Sequence, residues 1–299
     1  MSSRVAATGG LRPSQGENLP ATLEIQTKSG AIALDRTRLM RVVNVTPDSF
    51  SDGGRFFSTE AAVARAMEME QAGAHIIDIG GQSTRPGSAR VSPAEEIRRV
   101  VPVIEQLAHR LAVPISIDTY HSQVARAAMD AGAAIINDVS GLQADPSIAR
   151  VAAATGAPLI IMHSLWPPET MQDSPSYVDV VEDVMEFLQE KARMAMALGV
   201  PSRNIIVDPG LGFGKLLGHN LELLRGLPQL LSLEYPLLVG PSRKRFLGEL
   251  TGKGVEQRLW ATAGAVALCA AMGAHIVRVH DVAEMNDVVR IVDAIVWQV

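Results

Sequence analysis

The sequence predicts an α/β fold, a single (β/α)8 barrel preceded by a short N-terminal hairpin. Eight short, branched apolar runs alternate with eight helical stretches between residues 39 and 297, the order in which parallel strands and crossover helices are laid down. The joints repeat as well. Ala72-Gly73-Ala74-His75-Ile76-Ile77-Asp78 recurs as Ala131-Gly132-Ala133-Ala134-Ile135-Ile136-Asn137 and as Met272-Gly273-Ala274-His275-Ile276-Val277-Arg278, with a looser copy over 155–162. In each copy the glycine can supply the left-handed residue that stops a helix, and the run after it is apolar throughout, as in a strand covered on both faces. A doubly wound open sheet needs a G-x-G-x-x-G turn after its first strand; Gly210-Leu211-Gly212-Phe213-Gly214 has the wrong spacing.

Residues 1–20 carry Gly9-Gly10, Pro13-Ser14 and Gly16 without hydrophobic period and read as a flexible tail. Thr22-Leu23-Glu24-Ile25 and Ala31-Ile32-Ala33-Leu34 flank Lys28-Ser29-Gly30, a hairpin pattern placed to close one end of the barrel. Strands are predicted at 39–45, 76–80, 115–118, 135–139, 159–163, 205–208, 237–240 and 276–280, and helices at 59–72, 94–111, 121–131, 146–155, 178–199, 219–231, 255–272 and 283–297. Ser92-Pro93 followed by Glu95 and Glu96 is an N-cap with Pro in the first turn, and Asp145-Pro146 opens the fourth helix in the same way. No linker interrupts the alternation, so 21–299 form one domain.

A chain of 299 residues with 47% apolar content can build one large core. Its 27 basic against 32 acidic residues, a formal charge of −5, offer no basic surface for nucleic acid or an anionic membrane. The single Cys269 excludes an intramolecular disulfide or a Cys-cluster metal site, and no export-type or 18-residue apolar run is present. A cytoplasmic enzyme is the expectation.

In a barrel of this kind, chemistry sits at the carboxyl ends of the strands. Those ends carry Asn44, Asp78, Asp118, Asn137, His163 and Asp208, then Ser242-Arg243-Lys244, Arg278 and His280. Any single Asp there can serve simply to cap the next helix, and for Asp78, followed by Gly80-Gly81, capping weighs as much as binding. The set as a whole exceeds what an apolar barrel requires. Arg85, Lys244, Arg278 and His280 suit a phosphate or diphosphate, while Asp118, Asn137 and Asp208 suit the N–H edge of a heterocycle. Zinc is disfavoured because no H-x-x-x-H or Cys ligand set exists; Mg²⁺ held mainly by phosphate oxygens fits better. Two loops are rich in breakers and polar residues: 44–54 after the first strand, with Phe50 at its centre, and 80–87 after the second.

The same residues resemble the dihydropteroate synthase family, a folate-pathway transferase family inhibited by sulfonamides. The matching segments are Asn44-Val45-Thr46-Pro47-Asp48-Ser49-Phe50-Ser51-Asp52-Gly53-Gly54, Asp78-Ile79-Gly80-Gly81 with Ser83-Thr84-Arg85-Pro86-Gly87, and Ser116-Ile117-Asp118-Thr119. They continue with Ile136-Asn137-Asp138-Val139-Ser140-Gly141, Met162-His163, Asp208-Pro209-Gly210 with Gly212-Phe213-Gly214-Lys215, Ser242-Arg243-Lys244 and Arg278-Val279-His280-Asp281. The resemblance implies a homodimeric TIM barrel that joins 6-hydroxymethyl-7,8-dihydropterin diphosphate to 4-aminobenzoate, with Mg²⁺ as cofactor. It implies pterin contacts from Asp118, Asn137, Asp208, Phe213 and Lys244, and diphosphate contacts from Asn44, Thr84, Arg278 and His280, Asn44 also serving the metal. It assigns the aminobenzoate pocket to Phe50, Asp52, Arg85 and Pro86, and the chemistry to Asn44, Asp52, Arg85, Lys244, Arg278 and His280.

The chain departs from the family pattern at four places. Arg41 stands where Gly is usual, Gln82 where Glu is usual, Ser164-Leu165-Trp166 where Met, a polar residue and Gly follow Met162-His163, and Arg245 where some members have Ser. The competing readings are a related pterin-binding barrel that carries methyltetrahydrofolate, which lacks the complete first loop and the S-R-K segment, and a catalytically silent paralogue. For the dimer, Ala261 to Ala271 with Ile291, Ile295 and Trp297 are the candidate surface.

Overall fold

The computed structural model describes residues 23–28, 30–45, 55–82, 91–168 and 170–297. The predicted tail, 1–20, lies outside them. A hairpin, β1 (Glu24–Thr27) and β2 (Gly30–Ala33), precedes eight parallel strands. These are β3 (Arg38–Asn44), β4 (Ile76–Gly80), β5 (Ile115–Asp118), β6 (Ile135–Asp138), β7 (Leu159–Met162), β8 (Ile205–Asp208), β9 (Leu238–Val239) and β10 (Ile276–Val279). Their hydrogen-bonded order is β8-β7-β6-β5-β4-β3-β10-β9. A bridge between Val207 and Leu237 brings the two ends together, giving a TIM barrel with the predicted alternation.

The helices are α1 (Arg55–Gln71), α2 (Pro93–Ala108), α3 (Ser122–Ala131), α4 (Ser147–Thr155), α5 (Val180–Ala197), α6 (Leu217–Arg225), α7 (Leu227–Leu231), α8 (Arg245–Thr251), α9 (Leu259–Ala271) and α10 (Val282–Val292). Ser92 caps α2 by accepting from the Glu95 N–H at 3.3 Å. Asp145 accepts from the N–H groups of Ser122 (2.9 Å) and Ser147 (3.0 Å), so one carboxylate serves the starts of α3 and α4. Three predicted boundaries are corrected. The helix expected over 219–231 is two, divided at Gly226, where Pro228 in the first turn of α7 cannot continue the preceding ladder. The short α8 intervenes before the seventh predicted helix, and the last helix ends at Val292 in a π turn, Asp293–Trp297.

Strand periodicity divides the core in two. Leu39, Val43, Ile77, Ile79, Ile117, Ile136, Leu159, Ile161, Val207, Val239, Val277 and Val279 face outward into one cluster with the helices. Met40, Ile76, Ile135, Ile160, Ile206, Leu238 and Ile276 form a second cluster inside the barrel, joined by Ile25 and Leu34 from the hairpin region. The hairpin therefore plugs the amino-terminal end, as expected. The floor is also pinned by two histidines from the repeated turn: His75 Nδ1 accepts from the Leu39 N–H at 3.0 Å, and His275 Nδ1 accepts from the Leu237 N–H at 3.1 Å.

Candidate active site

Side chains alternate across a strand, so the residue two positions beyond each floor residue points into the same lumen one layer higher. That rule selects Asp78 after Ile76, Asn137 after Ile135, Met162 after Ile160, Asp208 after Ile206 and Arg278 after Ile276, with Asn44 and His280 higher still on their strands. Asp118 joins them through its register with Asn137 and Gly80. The apolar floor thus becomes a polar layer within one turn of the pleat.

Arg278 organises this layer. Its guanidinium donates to Asp78 Oδ2 (2.8 Å through Nε) and to Asp118 Oδ2 (2.6 Å), and Asn137 Nδ2 donates to Asp78 Oδ2 at 3.2 Å. Burial alone would lower the guanidinium's pKa, but the two carboxylates raise it above the ordinary arginine value. Asp118 is pushed well above the usual carboxylate range, because burial outweighs the attraction of Arg278 and the adjacent Asp78 opposes ionisation further. Asp78 Oδ1, Asp118 Oδ1 and Ser116 Oγ are buried with no hydrogen-bond partner among the described residues. Unfilled acceptors in one lumen are costly unless a donor-bearing ligand completes them.

On the other side of the mouth, Asp208 commits Oδ1 to the Gly210 N–H at 2.7 Å. Burial raises its pKa, while Lys244, Arg278 and Lys215 pull the other way. The Lys244 ammonium lies 4.0 Å from the centre of the Phe213 ring. Its own pKa is lowered, primarily by burial. The loop beneath depends on glycine: a Cβ on Gly210 (φ +66°) would stand 1.9 Å from the His163 carbonyl, and one on Gly212 would press on the Lys244 stem at 3.1 Å. Lys215 holds this loop from below. Its ammonium donates to the carbonyls of Gly210 and Phe213, both at 3.0 Å, and lies 2.8 Å from His163 Nδ1. Burial brings Lys215 down to about 7, and burial with the adjacent ammonium brings His163 down to about 2. His163 therefore belongs to the support of the loop.

The remaining wall is aromatic. Gln82 Nε2 donates to the Tyr120 hydroxyl at 2.5 Å, and Tyr120 meets Trp166 edge-on at 4.8 Å between ring centres. Val139, Met162 and Phe213 complete this cluster. Beyond the lumen, Arg243 is engaged by Asp281 (2.6 and 3.0 Å) and Glu256 (2.9 Å). Arg258 donates to the carbonyls of Arg243 and Lys244, fixing the corner that presents Lys244. Ser242 Oγ accepts from the His280 N–H at 3.1 Å and lies 3.0 Å from His280 Nδ1. Burial and then Arg41, Arg278, Arg243 and Lys244 depress His280 to about 3, so its imidazole is neutral at pH 7.

Behind the mouth, Glu96 on α2 is 1% exposed, and burial lifts its carboxyl to about 7. Its Cγ fills the space a side chain on Gly81 would need, while Arg99 Nη1 donates to the Gly81 carbonyl at 2.9 Å. A carboxyl whose pKa is raised on folding stabilises fully below its unfolded value, near 4.5, and loses that contribution as pH rises through 7. Glu96→Gln is therefore expected to be more stable than the parent by about 3 kcal/mol at pH 8 and equal to it near pH 4. Urea unfolding across that range checks it; a difference independent of pH would contradict the assignment.

Of the sequence-predicted site residues, the structure brings together Asn44, Asp118, Asn137, Asp208, Phe213, Lys244, Arg278 and His280 around one mouth. Phe50, Asp52, Thr84, Arg85 and Pro86 lie outside the described residues. Sequence reasoning missed the central place of Asp78, whose partner Arg278 is 200 residues away, and also Tyr120 and Lys215. The adjacency of Tyr120 to Asp118-Thr119 and of Lys215 to the glycine-rich 210–214 segment was the available signal.

Comparison with known proteins gives a consistent assignment. A family described as pterin binding enzymes matches residues 40–280. A dihydropteroate synthase of a Synechocystis strain is 47% identical over 264 residues, covering 88% of this chain and 91% of that protein. Among solved structures, the Xanthomonas albilineans dihydropteroate synthase with 4-aminobenzoic acid is similar with a TM-score of 0.86 and 44% identity, covering 92% of this chain and 98% of that one. The Yersinia pestis dihydropteroate synthase in a sulfonamide drug complex gives a TM-score of 0.86 at 43% identity, covering 91% and 98%. With buried acceptors that suit an N–H donor edge and cations that suit an anion at the mouth of this barrel, and with these matches over most of its length, the chain belongs to the dihydropteroate synthase family of pterin-binding enzymes.

Proposed function

We propose that this chain joins 6-hydroxymethyl-7,8-dihydropterin diphosphate to 4-aminobenzoate, forming 7,8-dihydropteroate and releasing diphosphate. The observation that carries the reading is the lumen itself, in which buried acceptors on Asp118 and Asp208, beside Asn137, share one mouth with Lys244, Arg278 and His280. The carboxylates and Asn137 hold the pterin N–H edge, and Phe213 and Lys244 bound its ring. Asn44, Thr84, Arg278 and His280 face the diphosphate. The aromatic amine attacks the pterin methylene as its C–O bond breaks, and the proton it sheds passes to solvent or to the released diphosphate; charge collects on the leaving diphosphate, where the cations stabilise it. No protein nucleophile is required.

Asn44 is suited to Mg²⁺. Its Oδ1 lies 3.6 Å from where a Gly80 Cβ would stand, at the lip of the mouth. No group of three or more His, Cys, Asp or Glu among the described residues could hold a metal ion; the proposed ion is carried chiefly on diphosphate oxygens. When bound, such an ion neutralises charge on the leaving group.

Phe50, Asp52, Arg85 and Pro86 form the aminobenzoate pocket, organised once pterin diphosphate is in place. Phe50→Ala is expected to raise KM for 4-aminobenzoate at least tenfold with little effect on pterin diphosphate binding or Tm. Unchanged aminobenzoate kinetics would remove Phe50 from the site. Sulfonamides are expected to compete with aminobenzoate there.

The functional unit is a homodimer formed through α9, α10 and the π turn after α10, where Trp260 and Ile295 are 76% and 73% exposed and Leu268 and Ile291 are also exposed. Sedimentation should give a dimer at micromolar concentration; a 32 kDa monomer rejects it. No described helix is long and apolar enough to cross a membrane, and the free, buried Cys269 suits a reducing cytoplasm. The deciding assay supplies pterin diphosphate, 4-aminobenzoate and Mg²⁺ together and omits each in turn. Diphosphate and dihydropteroate should appear only with both substrates.

A further inference from the structure

Arg41 has no place in the reaction outlined above, and its surroundings are unusual. Between Leu39 and Val43 on β3 it faces outward, among positions otherwise filled by core aliphatics, and β3 is flanked by α1 and α10. The residue is only 6% exposed. No described residue pairs with its guanidinium: Asp281, the one described carboxylate whose charge acts on it, is engaged by both arms of Arg243. The other described charges that act on Arg41 are cationic, Arg65 from α1, Arg243 before α8 and Arg278 from β10. In register Arg41 lies beside Val279, the residue before His280, and Arg41 is the foremost charge acting on the His280 ring.

A buried cation among like charges destabilises a fold unless an anion completes it, and among the described residues Arg41 has none. Burial, then Arg65, already depresses Arg41 to about 10, and Asp281 opposes this only in part. His280 and Arg278 lead from Arg41 to the diphosphate end of the mouth. We propose that Arg41 is an additional diphosphate-positioning residue, adding a guanidinium behind His280 that attracts the outer phosphoryl group and helps retain it as it departs. The inference rests on the reading of the mouth as a pterin diphosphate site.

Arg41 reaches its ligand through charge, so its contribution separates from that of the pterin pocket. Calorimetric titration of inorganic diphosphate with Mg²⁺ into Arg41→Met should give roughly tenfold weaker binding than the parent, and Arg41→Lys should recover most of the loss. Binding of 6-hydroxymethylpterin, which carries no phosphate, should be unchanged. The Tm of Arg41→Met should equal or exceed that of the parent, because a desolvated charge has been removed. Diphosphate affinity within twofold of the parent in Arg41→Met overturns the proposal. Equal losses for diphosphate and for the phosphate-free pterin overturn it too, since they would mean a packing role. A parent protein that binds the phosphate-free pterin but not diphosphate overturns the reading of the mouth itself.

Discussion

Arg278→Met is expected to lower kcat/KM about a thousandfold and to destabilise the fold by roughly 3–5 kcal/mol. The guanidinium holds Asp78 and Asp118 simultaneously, at 2.7 and 2.6 Å, and both carboxylates are almost wholly buried. Removing it strands two acids that already have orphaned oxygens. Asp118, with its raised pKa, would take up a proton first and so change from acceptor to donor where the ligand presents donors. The diphosphate loses a cation in the same step. Arg278→Lys keeps one charge without the fork that spans two partners, so it should recover part of the stability and little of the rate. Steady-state kinetics together with urea unfolding measure the two effects separately; activity within tenfold of the parent in the methionine variant would remove Arg278 from the reacting centre.

Asp208→Asn should weaken binding of a pterin analogue by about 2–4 kcal/mol while leaving Tm close to the parent value. The amide oxygen can retain the bond now made by Asp208 Oδ1 with the Gly210 N–H. The other half of the side chain then becomes an NH₂ directed at ligand N–H groups. The parent should also lose affinity toward acid as Asp208, whose pKa burial has raised, becomes protonated, whereas the variant should show no such limb from this residue. Calorimetry across pH tests both statements, and unchanged affinity at neutral pH would dismiss Asp208 as the reader of the pterin edge.

The barrel was legible because strands covered on both faces leave unbroken apolar runs, and because the glycine-stopped turn recurs around the chain. Helix ends were less legible: Gly226 reads as tolerated within 219–231, and only the packed structure shows the chain restarting there as α7. The site shows the same contrast. Asp118, Asn137, Asp208, Lys244, Arg278 and His280 end or follow successive strands, so topology alone gathers them. Asp78 resisted assignment because a carboxylate before Gly80-Gly81 suits a helix cap equally well, and only the closed ring brings Arg278 onto it. Lys215 was hidden by its residue type. A lysine beside a glycine-rich turn suggests an anion, whereas here its three donor positions serve two carbonyls and a ring nitrogen.

The barrel resembles a cask with one short stave. Leu238–Val239 is two residues long, paired with β10 on one side, and meets the β8 side through the Val207–Leu237 bridge. Asp208 ends one edge of that joint and Lys244 follows the other. A flat ring lodged between them would act as a hoop, tying together the two edges that the backbone itself joins least firmly. The enzyme would then acquire part of its rigidity from its own substrate, and the first molecule to enter would tighten the vessel in which the second must react.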